Sequence, residues 1–185
     1  MAVVISMLRA VNVGGHNKIK MDALRALYES LKLHNPQTYV QSGNVVFRTG
    51  EKDLVRLASR IKAGIERDFG ISSDVILRTT AELRDVIARN PFATRPGIEP
   101  NKLIVNFLAS VPGAEGREKV VQMKTHPEEL RIDGRELYIY FPEGMGRSKL
   151  PIASIERALK TPGTSRNWNS VMKLLEIAAA MEASV

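Results

Sequence analysis

Two short stretches of the chain combine residue types that hold anions. Gly144-Met145-Gly146-Arg147-Ser148-Lys149 sets two glycines, a guanidinium, a hydroxyl and an ammonium within six residues. A planar fork beside a point charge suits a phosphate or a carboxylate. Pro151 follows, where a helix would begin. From Gly144 to Asn169 the one acid, Glu156, stands against Arg147, Lys149, Arg157, Lys160 and Arg166. The second stretch is Asn12-Val13-Gly14-Gly15-His16-Asn17-Lys18. Paired glycines permit positive φ, so that backbone amides can face an anion. A helix start is expected after this loop too. Trp168, flanked by Asn167 and Asn169, reads either as an aromatic platform or as a half-buried anchor.

Other chemistry has no support. GxxxxGK[ST], GxGxxG after a strand and HExxH are all missing. His16, His34 and His126 are isolated, so no metal site is expected. No base is recognisably placed beside Ser42 or Ser148, and the catalytic residues, if there are any, stay unknown. No cofactor is expected.

These loops need elements to position them, and the periodicities supply a plan. Residues 2–11 read as a strand buried on both faces. Met21, Leu24, Leu27, Tyr28 and Leu31 recur at helical spacing over 20–33, and Asn35-Pro36 is expected to end that helix. Thr38–Gln41 and Asn44–Thr49 form a hairpin turning at Ser42-Gly43. Residues 52–69 are an amphipathic helix with Leu54, Leu57, Ala58, Ile61 and Ile65 inward; its outer cations read as a solvated face. Strand 74–78 and helix 80–90 complete a β-α-β-β-α-β order.

The second half repeats the pattern. Residues 102–111 are a strand, Pro112–Gly116 a glycine loop and 117–125 a short helix. Glu129–Ile132 and Glu136–Phe141 pair through Asp133-Gly134. Pro151–Leu159 is a helix, Thr164–Asn169 a short strand or cap, and 170–183 a terminal helix. The fold class is therefore α+β: two tandem ferredoxin-like (split βαβ) halves, antiparallel sheets with helices on one face, plus a C-terminal helix. The domain reading is 1–91, a proline-rich linker at 92–100, and 101–185.

Composition narrows the setting. A chain of 185 residues makes one domain or two small ones of about 90 residues each. There is no cysteine, which removes disulfides and thiolate chemistry and fits a reducing compartment. The apolar start is too short for a membrane span or a signal peptide, so a cytoplasmic protein with no membrane partner is expected. The net charge is +7, but the first 95 residues carry 15 basic and 9 acidic side chains and the rest 12 and 11. The basic excess thus lies away from Gly144–Lys149. A basic surface attracts phosphorylated metabolites or nucleic acid.

Four stretches together resemble a bacterial family, domain of unknown function 1697. They are LRAVNVGGHNKIKM, TYVQSGNVVF, ELYIYFPEGMGRSKL and TSRNWNSVMKLLE, in family order from Met7 to about Glu176. Ala10 stands where the family often has glycine, and Ser170 where it often has threonine. The resemblance implies tandem ferredoxin-like halves and carries no activity. It adds Gln41, Ser42, Gly43 and Asn44 to the signature positions, along with Trp168 and Asn169.

The expectation is a binding protein that holds a phosphorylated or other anionic small molecule in a cleft between the halves. The candidate ligand-binding residues are Asn12, Gly14, Gly15, Lys18, Gln41, Ser42, Asn44, Arg147, Ser148 and Lys149, with Arg166 and Asn167 in support. A nucleic-acid partner on the basic surface is the second reading, although Phe47 is the one aromatic that strand Asn44–Arg48 offers. An enzyme acting on a phosphorylated substrate is the third. The oligomeric state is not legible.

Overall fold

The computed structural model describes residues 1–184. Among them are eight strands and six α-helices, arranged as two four-stranded antiparallel sheets. The chain divides into two compact units. One holds Met1–Arg84 with the C-terminal residues from Lys173, and the other holds Asp85–Met172.

The first unit runs β1 (Ala2–Leu8), α1 (Met21–Ser30), β2 (His34–Tyr39), β3 (Asn44–Thr49), α2 (Leu54–Phe69) and β4 (Val75–Thr79), with strand order β2-β3-β1-β4. The largely apolar start of the chain is the reason β1 sits inside the sheet. Six of its seven residues are buried, and Ile5 pairs with Val46 on one side and Arg78 on the other. Val4, Leu8, Val45, Phe47, Val75 and Leu77 meet Leu24, Leu27 and Tyr28 of α1 and Leu57, Ile61 and Ile65 of α2. These are the residues the helical spacing pointed inward. The Asp53 carboxylate accepts from the Arg56 amide at 3.0 Å to start α2, and Gly70 at φ +65° ends it.

Two local readings shift. Helix α1 ends at Ser30, and Asn35-Pro36 falls within β2, where the register slips between His34 and Gln37. Proline lacks the ladder donor, and β2 is an edge strand that does not need it. The hairpin loop spans residues 40–43, with Gly43 at φ +74°; a Cβ there would sit 2.8 Å from Leu8 Cβ.

Helix α3 (Thr80–Ala88) follows β4, and the Thr79 and Glu82 side chains accept reciprocally from each other's amides at 3.1 and 2.8 Å. The second unit then runs β5 (Leu103–Leu108), α4 (Ala114–Val121), β6 (Glu129–Asp133), β7 (Glu136–Tyr140), α5 (Ile152–Leu159) and β8 (Gly163–Asn167), with strand order β6-β7-β5-β8. The register echoes the first unit: Val105 of β5 pairs with Tyr138 and with Arg166. Its core joins Ile104, Leu108, Leu137, Ile139 and Phe141 to Val120, Ile155 and Leu159. The turn between β6 and β7 is Gly134-Arg135, one residue beyond the expected position.

Gly116 is helical instead of part of a loop. A Cβ at this position would lie 2.4 Å from the Ala158 carbonyl oxygen of α5, so α4 needs glycine there to pack. Residues 92–100 lie inside the second unit, where Phe92 is 3% exposed and packs on Tyr140 with ring centroids 6.0 Å apart. Helix α6 (Trp168–Ala183) closes the chain, with Trp168 half-buried at its start. Its last turns belong to the first unit, where Glu182 pairs with Arg84 at 2.7 Å and the Met181 carbonyl accepts from Arg48. No helix among the described residues is long and apolar enough to cross a membrane.

Candidate functional site

The sequence candidates fall into two sets, one in each unit. In the first unit the Asn12–Lys18 segment folds as a miniature hairpin. The Asn12 amide donates to the Asn17 carbonyl at 3.1 Å and the His16 amide to the Val13 carbonyl at 3.0 Å. Gly14 at φ +58° and Gly15 at φ +80° form its tip, as a two-residue turn requires. The tip and Lys18 are exposed, and α1 begins only at Met21.

The asparagines of this set hold the loops together. Asn12 Nδ2 donates to the carbonyls of Ile19 at 3.0 Å and Gln41 at 2.8 Å, and Asn12 Oδ1 accepts from the Ile19 amide at 2.9 Å. Asn44 Nδ2 donates to the Tyr39 carbonyl at 3.1 Å and to Ser42 Oγ at 2.9 Å. Asn12, Gln41, Ser42 and Asn44 thus gather at the loop end of the sheet, with the carboxamides of Asn12 and Asn44 engaged by protein groups. The outer cations of α2 are partly engaged as well. Arg60 donates to the Leu31 carbonyl at 2.6 Å, and Arg67 pairs with Asp68 at 2.6 Å.

In the second unit Gly144, at φ +85°, turns the chain after Phe141 into a 3-10 turn, Met145–Arg147. The Gly144 amide donates to the Phe141 carbonyl at 2.9 Å. The Ser148 hydroxyl accepts from the Leu150 amide at 3.0 Å, which fixes the extended strap that leads into α5. Side chains alternate along this strap. Glu143, Arg147, Lys149 and Pro151 line a cleft of about 280 Å³ with Lys124, His126 and Glu128. Met145, Ser148 and Ile152 line a separate pocket of about 300 Å³ with Ile104, Ile139, Phe141 and Ser165. Leu150 borders both.

The basic cleft is the more telling feature. Lys124, Arg147 and Lys149 have no ion pair among the described residues, whereas Arg89, Arg95, Lys102 and Lys119 of the same unit each hold an acid within 2.7 Å. Two carboxylates share the wall: Glu143 is exposed and Glu128 is 8% exposed. The Lys102 ammonium is held above its ordinary value chiefly by the Glu99 hydrogen bond, and the Arg147 charge acts in the opposite direction. Arg147 therefore projects positive potential toward its surroundings.

The two supporting residues have different placements. Arg166 lies within the sheet, 7% exposed, donating to Thr164 Oγ1 at 2.7 Å and to the Ser165 carbonyl at 2.9 Å. Burial pulls its guanidinium down to about 10. Asn167 caps α6, its Oδ1 accepting from the Ser170 amide at 2.8 Å. Lys124 and His126 were missed by sequence reasoning. They sit on the α4–β6 connection, more than 20 residues upstream, and carry no motif of their own. No cluster of three or more metal-ligating side chains occurs among the described residues.

Fold and site define an α+β protein of two antiparallel four-stranded sheets with a basic cleft in its second unit. The chain belongs to the family of proteins of unknown function DUF1697, whose model matches residues 1–138. The Gly144–Lys149 loop thus lies beyond the matched residues. A solved structure of a conserved bacterial protein, SP0830 from Streptococcus pneumoniae, is similar in fold. It has a TM-score of 0.75 at 17% identity, covering 96% of this chain and 98% of that one. No functionally curated protein matches.

Proposed function

We propose that the second unit binds a phosphorylated or other anionic small molecule in the cleft lined by Arg147, Lys149 and Lys124. The observation that carries this reading is that these three cations, none of them with an acid partner among the described residues, line one concave cleft. A bidentate guanidinium and two ammonium groups in a concave site favour a compact anion over a single carboxylate. Ser148 holds the strap in shape, and Gly144 supplies the turn that presents it. The zero cysteine count fits a cytoplasmic setting for such a protein. We also read each half as ferredoxin-like, supported by the β-α-β-β-α-β order and by the strand orders β2-β3-β1-β4 and β6-β7-β5-β8.

The test is thermal denaturation of the full chain with inorganic phosphate, pyrophosphate, nucleotides and sugar phosphates. A ligand at a hundred times its Kd stabilises the folded state by about 2.7 kcal/mol. The expected result is a rise in Tm for the wild type that the Arg147→Ala/Lys149→Ala variant lacks. If no compound raises the wild-type Tm more than the variant's, the reading is wrong.

A further inference from the structure

The strap from Gly144 to Ile152 separates two cavities of opposite character. On one side stand Arg147, Lys149 and Lys124. On the other, Ile104, Ile139, Phe141 and Ile152 make an apolar floor and wall, with Ser148 and Ser165 as the polar groups. The pocket's floor is the face of β5 and β7 that also carries the second unit's core, yet residues 145–152 leave it about 300 Å³ unfilled. Apolar side chains ordinarily collapse onto one another, and a void costs the dispersion contacts its lining would make. An open pocket of this size lies at the lower end of the range that takes small ligands. Leu150 borders both cavities, so one molecule that passes it can reach both.

We infer that the ligand of this unit is an amphipathic anion: a phosphate-like group against Arg147 and Lys149, joined to a short apolar chain or ring in the pocket under the strap. This rests on the anion-binding reading and goes further, because the basic cleft alone would accept any small phosphate. Charge complementarity fixes the head, and the pocket's lining fixes the tail. The pocket's few polar groups disfavour a sugar or nucleoside as the appended moiety, since their hydroxyls would lose water without finding partners.

The experiment is titration calorimetry on the full chain with inorganic phosphate and with ethyl, butyl, hexyl and octyl phosphate. Each buried methylene is expected to raise affinity about fourfold until the pocket is full, after which the gain stops. Hexyl phosphate should bind at least tenfold tighter than inorganic phosphate. Ser165→Phe, which fills the pocket from an exposed strand position, should bring the two within about threefold. The chain-length series needs no variant, so it decides even if Ser165→Phe does not fold. If phosphate binds and the alkyl series is flat, the amphipathic ligand is ruled out and the anion site stands. If neither phosphate nor any alkyl phosphate binds, the anion site itself falls and takes this inference with it.

Discussion

The side-chain amide of Asn12 donates to the main-chain carbonyl of Gln41 at 2.8 Å, joining two loops separated by 29 positions. The same carboxamide meets both the amide and the carbonyl of Ile19, so it acts as a short piece of strand. Asn12 also adopts φ +54°, which asparagine tolerates better than most residues. Asn12→Ala removes all three bonds and adds backbone strain. We expect a loss of about 2–3 kcal/mol in urea denaturation, since buried groups of Ile19 are left unpaired. Asn12→Asp should cost at least as much, because a carboxylate would face two carbonyl oxygens. A loss below 0.5 kcal/mol, on the order of a surface change, would mean that Asn12 is free to serve a ligand.

Gly116 provides a second test. Alanine favours a helix over glycine by about 1 kcal/mol. Here the new Cβ would meet the Ala158 carbonyl oxygen at 2.4 Å, a backbone atom that cannot rotate away. The clash should win, with Gly116→Ala lowering stability by about 1–3 kcal/mol. Gly50→Ala is the control, as nothing lies within 4 Å of its Cβ position. It should fall within about 0.5 kcal/mol of the wild type.

The Ser6 and Tyr28 hydroxyls are 2.7 Å apart between β1 and α1, and Tyr28 also packs edge-on against Phe47 at 5.3 Å. Ser6→Ala and Tyr28→Phe should each destabilise, and the double variant should lose less than their sum. A coupling of about 0.5–1.5 kcal/mol is expected. Burial raises the Tyr28 hydroxyl far above its usual range, with the Ser6 hydrogen bond acting in the opposite direction. Above pH 10 the unfolded chain therefore gives up this proton while the folded one keeps it. Stability falls there, and Tyr28→Phe should flatten that alkaline slope.

Arg166 contributes with the opposite sign. Burial lowers its guanidinium from its ordinary value to about 10, a cost on the order of 3 kcal/mol at neutral pH. Its hydrogen bonds to Thr164 and Ser165 offset part of that cost. Arg166→Met should be neutral or up to about 2 kcal/mol more stable below pH 10. Above pH 10 the folded chain gives up this proton while the unfolded one keeps it, so stability rises with pH for the wild type relative to the variant. A loss above 2 kcal/mol, beyond about the size of a typical surface change, would show that the hydrogen bonds outweigh the desolvation.

Much of this protein could be read from its sequence, because periodicity is a local property. Leu24, Leu27 and Tyr28, or Leu57, Ile61 and Ile65, declare a helix face before any partner is known, and all are buried. The β-branched start of β1 declares a strand with no solvated side. Glycine was the weak point. Gly14 and Gly15 take the positive φ expected of them, but Gly116 looks the same in sequence and serves a close approach of helices instead.

What the chain could not declare is which charges would lack a partner. Arg147, Lys149 and Arg166 are alike as basic residues in a polar stretch. The fold leaves the first two exposed on a strap and draws the third into a sheet. Lys124 and His126 join the cleft only because β6 and β7 return the chain to the start of α5. The sequence by itself determined the elements and their inward faces, since these depend on neighbours three or four positions away. The tertiary structure decided the cleft, the pocket beneath the strap and the burial of Arg166, since each depends on residues brought together across dozens of positions.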